Sequence, residues 1–382
     1  MRATVVGAGV AGLTTAVTLA ERGATVSLVE RSRELGANAS WLAGGMLAPF
    51  CEGESAPPSV VELGRRAIDW WAARVPGVVR EGTLVVAPPR DVGEIERFAQ
   101  RTREHERADE ARVAALEPDL AGRFHKGLFF AGEGHLDPRA AMRALVERLR
   151  RAGVDVRFGT DGERLGPEAG IVVDCRGFAA RPHLPQLRGV RGEMIRVRTR
   201  EVSLTRTVRL LHPRFPLYVV PRANSEFMVG ATMIESAERG AVSVRSAIEL
   251  LSAAYALHPA FGEAEILEMS AEVRPAYPGN EPRIEEREGR IFVNGFYRHG
   301  FLLAPAFAKR AAALAFERAG VGGGSEPIAT NEVEPMSSAD GEPHLGKWLV
   351  ENLAGLGEIE LPSRADDRPD PFAALFEDDE EA

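Results

Sequence analysis

The chain has 382 residues, 45% of them hydrophobic, enough for two domains with sizeable cores. Its formal net charge is −9, and eight acidic side chains against one arginine over residues 366–382 carry most of it, so the body before that segment is nearly neutral and offers no nucleic-acid surface. No apolar run is long enough to span a bilayer, and the two distant cysteines, Cys51 and Cys175, with eight histidines in no ligand-like spacing, leave neither a disulfide framework nor a metal site.

Residues 4–6 read as a short apolar strand running into Gly7-Ala8-Gly9-Val10-Ala11-Gly12. A helical stretch over 13–22 follows, then a second strand over 25–29 that ends on Glu30. Strand, GxGxxG turn, helix, strand and acid, in that order, point to a dinucleotide. Gly7 permits the tight turn, Gly9 lets a pyrophosphate reach the backbone, and Gly12 brings helix and strand together. The helix N-terminus attracts phosphate and Glu30 accepts from a ribose diol. A secretory signal is the competing reading of this apolar start, but three glycines and no cleavage-like segment argue against it. A reducing cytoplasm is the expected location.

Helical spacing covers 59–74, with Trp70 and Trp71; 82–87 reads as a strand, 92–107 as a charged helix, 113–120 as a shorter one and 127–130 as a strand. Asp137-Pro138 starts a helix, with the aspartate as cap and the proline in the first turn, and Gly153 closes it. Strands over 154–158 and 171–174 complete a second strand-helix-strand unit expected to return to the dinucleotide-binding sheet. Residues 194–207 alternate as half-exposed strands do; 217–220 and 227–230 read as a hairpin, and 244–257 as a helix capped by Ser243. Strands over 265–271 and 291–294, a turn over 297–301 and a helix over 302–318 close the folded body. From residue 321 the composition turns to Gly, Ser, Pro and Glu, with a helical candidate at 345–353. The expected fold class is α/β. A discontinuous Rossmann-like domain covers residues 1–75, 128–185 and 286–320, and an α+β domain with a mixed or antiparallel sheet covers 76–127 and 186–285. Residues 321–382 are expected to form a disordered acidic tail.

Four segments occur in collinear order within residues 1–320. They are Ala39-Ser40-Trp41-Leu42-Ala43-Gly44-Gly45-Met46-Leu47-Ala48-Pro49; Arg191-Gly192-Glu193-Met194; Tyr218 to Arg222 with Val229-Gly230-Ala231-Thr232-Met233; and Val273-Arg274-Pro275 with Tyr297-Arg298-His299-Gly300-Phe301-Leu302-Leu303-Ala304-Pro305. Together they resemble the D-amino-acid-oxidase-like flavoproteins and, more narrowly, the glycine oxidases of thiamine biosynthesis. The resemblance implies non-covalent FAD, held by Gly7, Gly9, Val10, Ala11, Gly12, Glu30, Arg31, Ala39, Ser40, Gly44, Gly45, Met46, Leu47, Gly177, His299, Gly300, Phe301 and Leu302. It implies that Arg274 binds the substrate carboxylate, with Tyr218 donating beside it, Arg298 nearby, and Met46 and Met233 around the substrate α-carbon. Two positions depart from the family: Pro216 stands where a histidine can sit, and Trp41 replaces a small residue.

The implied reaction is oxidative deamination of glycine to the imino acid, with O2 as acceptor and peroxide as product, supplying the thiazole of thiamine. Sarcosine or a small D-amino acid, a quinone as acceptor, and a flavin-binding scaffold whose tail recruits a partner remain as alternatives. Partners are a small substrate and O2, with no nucleic acid or membrane; a homo-oligomer is compatible with the sequence.

Overall fold

The computed structural model describes residues 1–36, 38–212 and 216–321. The expected acidic tail over 321–382, with its helical candidate at 345–353, therefore lies outside the described residues except for Val321.

Two sheets organise the described chain. One has six strands in the order Arg283–Arg287, Arg290–Asn294, Ile171–Asp174, Arg2–Val6, Thr25–Glu30 and Asp155–Phe158, all parallel except Arg283–Arg287. Helices Val10–Glu21, Pro138–Arg151 and Gly300–Arg318 pack together beside it over one apolar core. The strand Arg2–Val6 is buried along almost its whole length, as a central parallel strand covered on both faces must be.

The other sheet has eight strands: Glu265–Ala276, Arg188–Arg198, Glu226–Gly230, Leu217–Pro221, Thr207–Leu210, Thr83–Val86, Lys126–Phe130 and Glu106–Asp109. It is antiparallel apart from the pairing of Thr207–Leu210 with Thr83–Val86, and helix Val244–Leu257 packs on it. Ser243 caps that helix through the Ser246 amide, and Asp137 caps Pro138–Arg151 as its sequence requires.

Several elements differ from the sequence reading. The expected helix over 92–107 is Gly93–Arg101, and Glu106–Asp109 is an edge strand. The 59–74 helix is divided into Pro58–Gly64 and Ala67–Ala72, and 113–120 into Glu110–Leu116 and a 3-10 turn, Pro118–Leu120, because Pro118 lacks the amide the helix would need. Lys126–Phe130 pairs in the eight-stranded sheet, so the strand-helix-strand unit through residue 177 crosses between sheets. Arg283–Arg287 had no separate expectation, and Met46–Leu47 forms a short ladder with Gly134–His135 inside the expected flavin loop.

The helix Gly300–Arg318 contains Pro305 without breaking. Pro305 has no amide for the carbonyl of Phe301, and that carbonyl accepts the indole N–H of fully buried Trp71 at 2.8 Å instead.

Candidate active site

The glycine turn is built backbone against backbone. Gly7, at φ +102°, donates to the Val29 carbonyl at 2.8 Å, and a Cβ on Gly12 would stand 1.8 Å from the Gly7 carbonyl oxygen. The Glu30 carboxylate accepts the amides of Ala8 at 2.7 Å and Ser32 at 2.9 Å, which orients it at the end of its strand. Ser40 Oγ accepts the Val10 amide at 3.0 Å and so brings the 39–45 segment to the N-terminus of helix Val10–Glu21.

A cleft of about 550 Å³ begins here. Gly7, Gly9, Val10, Ala11, Glu30, Arg31, Ala39, Ser40 and Gly177 line one part of it, Gly44, Gly45, Met46, His299, Gly300, Phe301 and Leu302 another, and Tyr218, Met233, Arg274 and Arg298 a third. Two expected cofactor residues are not on its wall: Gly12 acts from behind the turn, and Leu47 is buried in the core. A dinucleotide fits these residues. Helix amides open onto the cleft, Glu30 retains lone pairs for a diol, and a Cβ on Gly9 would have only Ser40 Oγ, 3.5 Å away, near it. At the far side the positive end of helix Gly300–Arg318 faces the cleft, suited to charge developing on a ring system.

Arg274 comes from strand Glu265–Ala276. Its guanidinium lies on the backbone of Gly192, where a Cβ would stand 2.1 Å from Nη2, and its Nη1 donates to the Thr232 carbonyl at 2.9 Å. No carboxylate pairs with Arg274 among the described residues. Burial draws its pKa down, opposed by Tyr218 and Tyr297. Tyr218, from strand Leu217–Pro221, packs on Gly44 and Gly230, and its hydroxyl has no hydrogen-bond partner among the described residues. Burial pushes the phenol up, against the pull of Arg274, so it stands as an O–H donor.

Arg298 is differently placed. It pairs with Glu52 at 2.8 Å and donates to Ser55 Oγ at 2.8 Å. Glu52 also meets His299 Nε2 at 2.9 Å and Arg209 at 3.4 Å. Burial alone would raise the Glu52 carboxyl, but Arg298, His299 and Arg209 hold it well below the usual carboxylate range. The two methionines also differ: Met46 is half-buried on the wall, whereas Met233 is 51% exposed, with its sulfur 3.2 Å from the Tyr297 hydroxyl.

Glu52 and Arg209 had no motif to mark them; they meet because helix Pro49–Glu52 abuts strand Thr207–Leu210. Arg222 lies inside a segment singled out from the sequence and had no role there. Its Nη2 donates to the Gly44 carbonyl at 2.6 Å and pins the glycine pair, while burial lowers its pKa to about 10. Cys51 and Cys175 are buried free thiols. Among the described residues no group of acids, histidines and cysteines is arranged to hold a metal, and no helix is long and apolar enough to cross a membrane.

The family model for FAD-dependent oxidoreductases, DAO, matches residues 2–314. A Rhizobium etli protein named thiamine biosynthesis oxidoreductase ThiO is 58% identical over 309 residues, covering 81% of this chain and 94% of its own length. A glycine oxidase of Pseudomonas aeruginosa is 28% identical over 351 residues, covering 82% of this chain and 94% of its own. The crystal structure of glycine oxidase from Geobacillus kaustophilus shares the fold, with a TM-score of 0.70 at 24% identity over 83% of this chain and 94% of that one. A match running through nearly the whole described body, with a relative at this identity, settles the kinship: the chain belongs to the DAO family of FAD-dependent oxidoreductases, and FAD is its cofactor.

Proposed function

We propose that this enzyme oxidises glycine to its imino acid, which water converts to glyoxylate and ammonia, and that the imino acid supplies the thiazole moiety of thiamine in the cytoplasm. The observation that carries this reading is Arg274, a half-buried guanidinium on the cleft wall with no acid to pair with among the described residues. Such a cation is costly unless an anion arrives, and a planar carboxylate fits its two-pronged donors. The names of the Rhizobium etli and Pseudomonas aeruginosa relatives support the choice of substrate and pathway.

In this reading Arg274 binds the carboxylate through the donors that Thr232 leaves free, and Tyr218 adds an O–H bond. The charges near the carboxylate end balance on the same assumption. Around Tyr218, Arg274, Arg298 and Arg209 face Glu52, so cations outnumber acids on the protein side. A monocarboxylate takes up part of that surplus, and the remainder favours electron arrival nearby. Bound FAD would supply the two-electron acceptor for the hydrogen that leaves the substrate Cα as hydride, and the amine's overall loss of two hydrogens would be matched by reduction of O2 to hydrogen peroxide. The amine must be neutral for its lone pair to drive that departure. The acids on this part of the wall are both committed, Glu52 to Arg298, Arg209 and His299 and Glu272 to Arg239 at 2.9 Å, so the proton is lost to solvent. Non-covalent FAD is held by the 1–75, 128–185 and 286–320 regions, and the domain formed by 76–127 and 186–285 brings Tyr218, Met233 and Arg274 to the substrate wall from its second part. Gly12 and Leu47 support the cofactor site from behind.

Peroxide release should be measured against glycine, sarcosine, D-alanine and D-proline, with glycine expected to give the highest kcat/KM. Arg274→Ala should keep the flavin spectrum and lose about 1.5–3 kcal/mol in kcat/KM, with Arg274→Lys recovering only part. If glycolate, a carboxylate probe, perturbs the flavin spectrum equally in wild type and Arg274→Ala, the assignment is wrong.

A further inference from the structure

The 231–243 segment joins strand Glu226–Gly230 to helix Val244–Leu257 and, apart from one bridge at Ile234, has no regular structure of its own. It still carries Ala231, Met233 and Arg239 on the cleft wall. What orders it is a buried ion pair away from that wall. Arg191 is 7% exposed, and it donates to the carbonyls of Glu238 at 3.0 Å, Gly240 at 3.1 Å and Ala241 at 2.5 Å. Its Nε and Nη2 reach Glu193 Oε1 at 2.8 and 2.6 Å, and its backbone pairs with Ile234 in both directions. Glu193 ties both ends of the segment: its amide donates to Thr232 Oγ1 at 2.9 Å, its carbonyl accepts the Thr232 amide at 3.2 Å, and Oε1 accepts the Ser243 amide at 3.3 Å. Between the two, Gly192 is the residue on which Arg274 lies, and Thr232, tied to Glu193 through its amide and hydroxyl, is the residue whose carbonyl receives Arg274 Nη1.

We propose that Arg191 and Glu193 are positioning residues for substrate recognition: they lock the 231–243 strap so that the Thr232 carbonyl fixes the guanidinium of Arg274 for the incoming carboxylate. This rests on the reading that Arg274 binds a carboxylate. A buried ion pair is weak evidence of stability in itself, but a guanidinium spread over three carbonyls and a carboxylate is a geometric clamp that a lysine, with one compact donor group, cannot reproduce.

The test uses the FAD-loaded full chain. Arg191→Gln should raise the glycolate Kd, read from the flavin spectrum, and the glycine KM by about tenfold each, with FAD content intact and kcat changed far less. Trypsin cleavage after Arg239 should accelerate in the variant and slow again when glycolate is added. In an Arg274→Ala background, Arg191→Gln should add nothing further to the loss of glycolate affinity, the mark of residues acting as one unit. Arg191→Lys should fall between wild type and Arg191→Gln, and Glu193→Gln, nearly isosteric, provides the same readouts if Arg191→Gln does not fold. A variant with faster cleavage at Arg239 but unchanged glycolate affinity overturns the inference, as does full additivity with Arg274→Ala. Unchanged glycolate affinity in Arg274→Ala itself would instead remove the underlying reading, and this one with it.

Discussion

Glu133 is wholly buried; its Oε1 accepts the Cys51 amide at 2.7 Å, and its Oε2 has no partner among the described residues. Burial lifts its carboxyl from 4.5 to about 7, against the pull of that amide. An acid whose pKa is higher folded than unfolded supports the fold most fully below the unfolded value. That support is lost as pH rises from 4.5 to about 7, by up to ~3 kcal/mol. Denaturation of Glu133→Gln should lack this decline, leaving the variant the more stable protein above pH 7; parallel pH profiles would mean that Glu133 ionises freely in the native state. At this scale Arg274 and Tyr218 were readable because each sits within a contiguous motif. Glu52 and Arg209 were not, since they lie 157 positions apart and nothing local in either segment names the other.

Periodicity alone misreads the element after helix Gly93–Arg101. Residues 101–107 alternate arginines and acids, which fits a solvated helix, but Thr102 turns extended and its hydroxyl takes the Phe98 carbonyl, ending the helix. The charged strand that follows sits at the edge of its sheet, where charge discourages pairing with another molecule. Helix Gly300–Arg318 was legible, but the means by which it carries a proline was not, because the Trp71 indole comes from a helix 230 positions earlier. Trp71→Phe should leave the Phe301 carbonyl buried without a donor and cost about 1–3 kcal/mol in unfolding free energy. Because that carbonyl is in the first turn, at the cleft, flavin retention should weaken as well; loss of neither would show that another donor takes its place.

The cleft wall is drawn from residues between Val6 and Leu302. A chain ending at Gly323 should therefore keep its flavin and turnover, and focus at a higher isoelectric point because it lacks the acids at 366–382; loss of flavin would assign the removed residues a part in holding the cleft. The two-sheet architecture was readable from the glycine turn and the alternating strands. The crossing at Lys126–Phe130 was not, since the strand pattern says that a segment pairs and not with which sheet.

The interleaving of the chain also bears on how the protein is made. Arg2–Val6 and the glycine turn are made well before helix Gly300–Arg318, yet helix Val10–Glu21 packs on that helix, and Thr14 meets Ala304, 290 positions later, at 3.5 Å. The glycine-turn helix thus waits for a partner made 290 positions later, a non-local contact that implies slow folding and long exposure to chaperones. In refolding experiments, capture of FAD should follow the slow phase that buries Trp71, and capture in the dead time would show that the turn forms a nucleotide site before its last helix arrives.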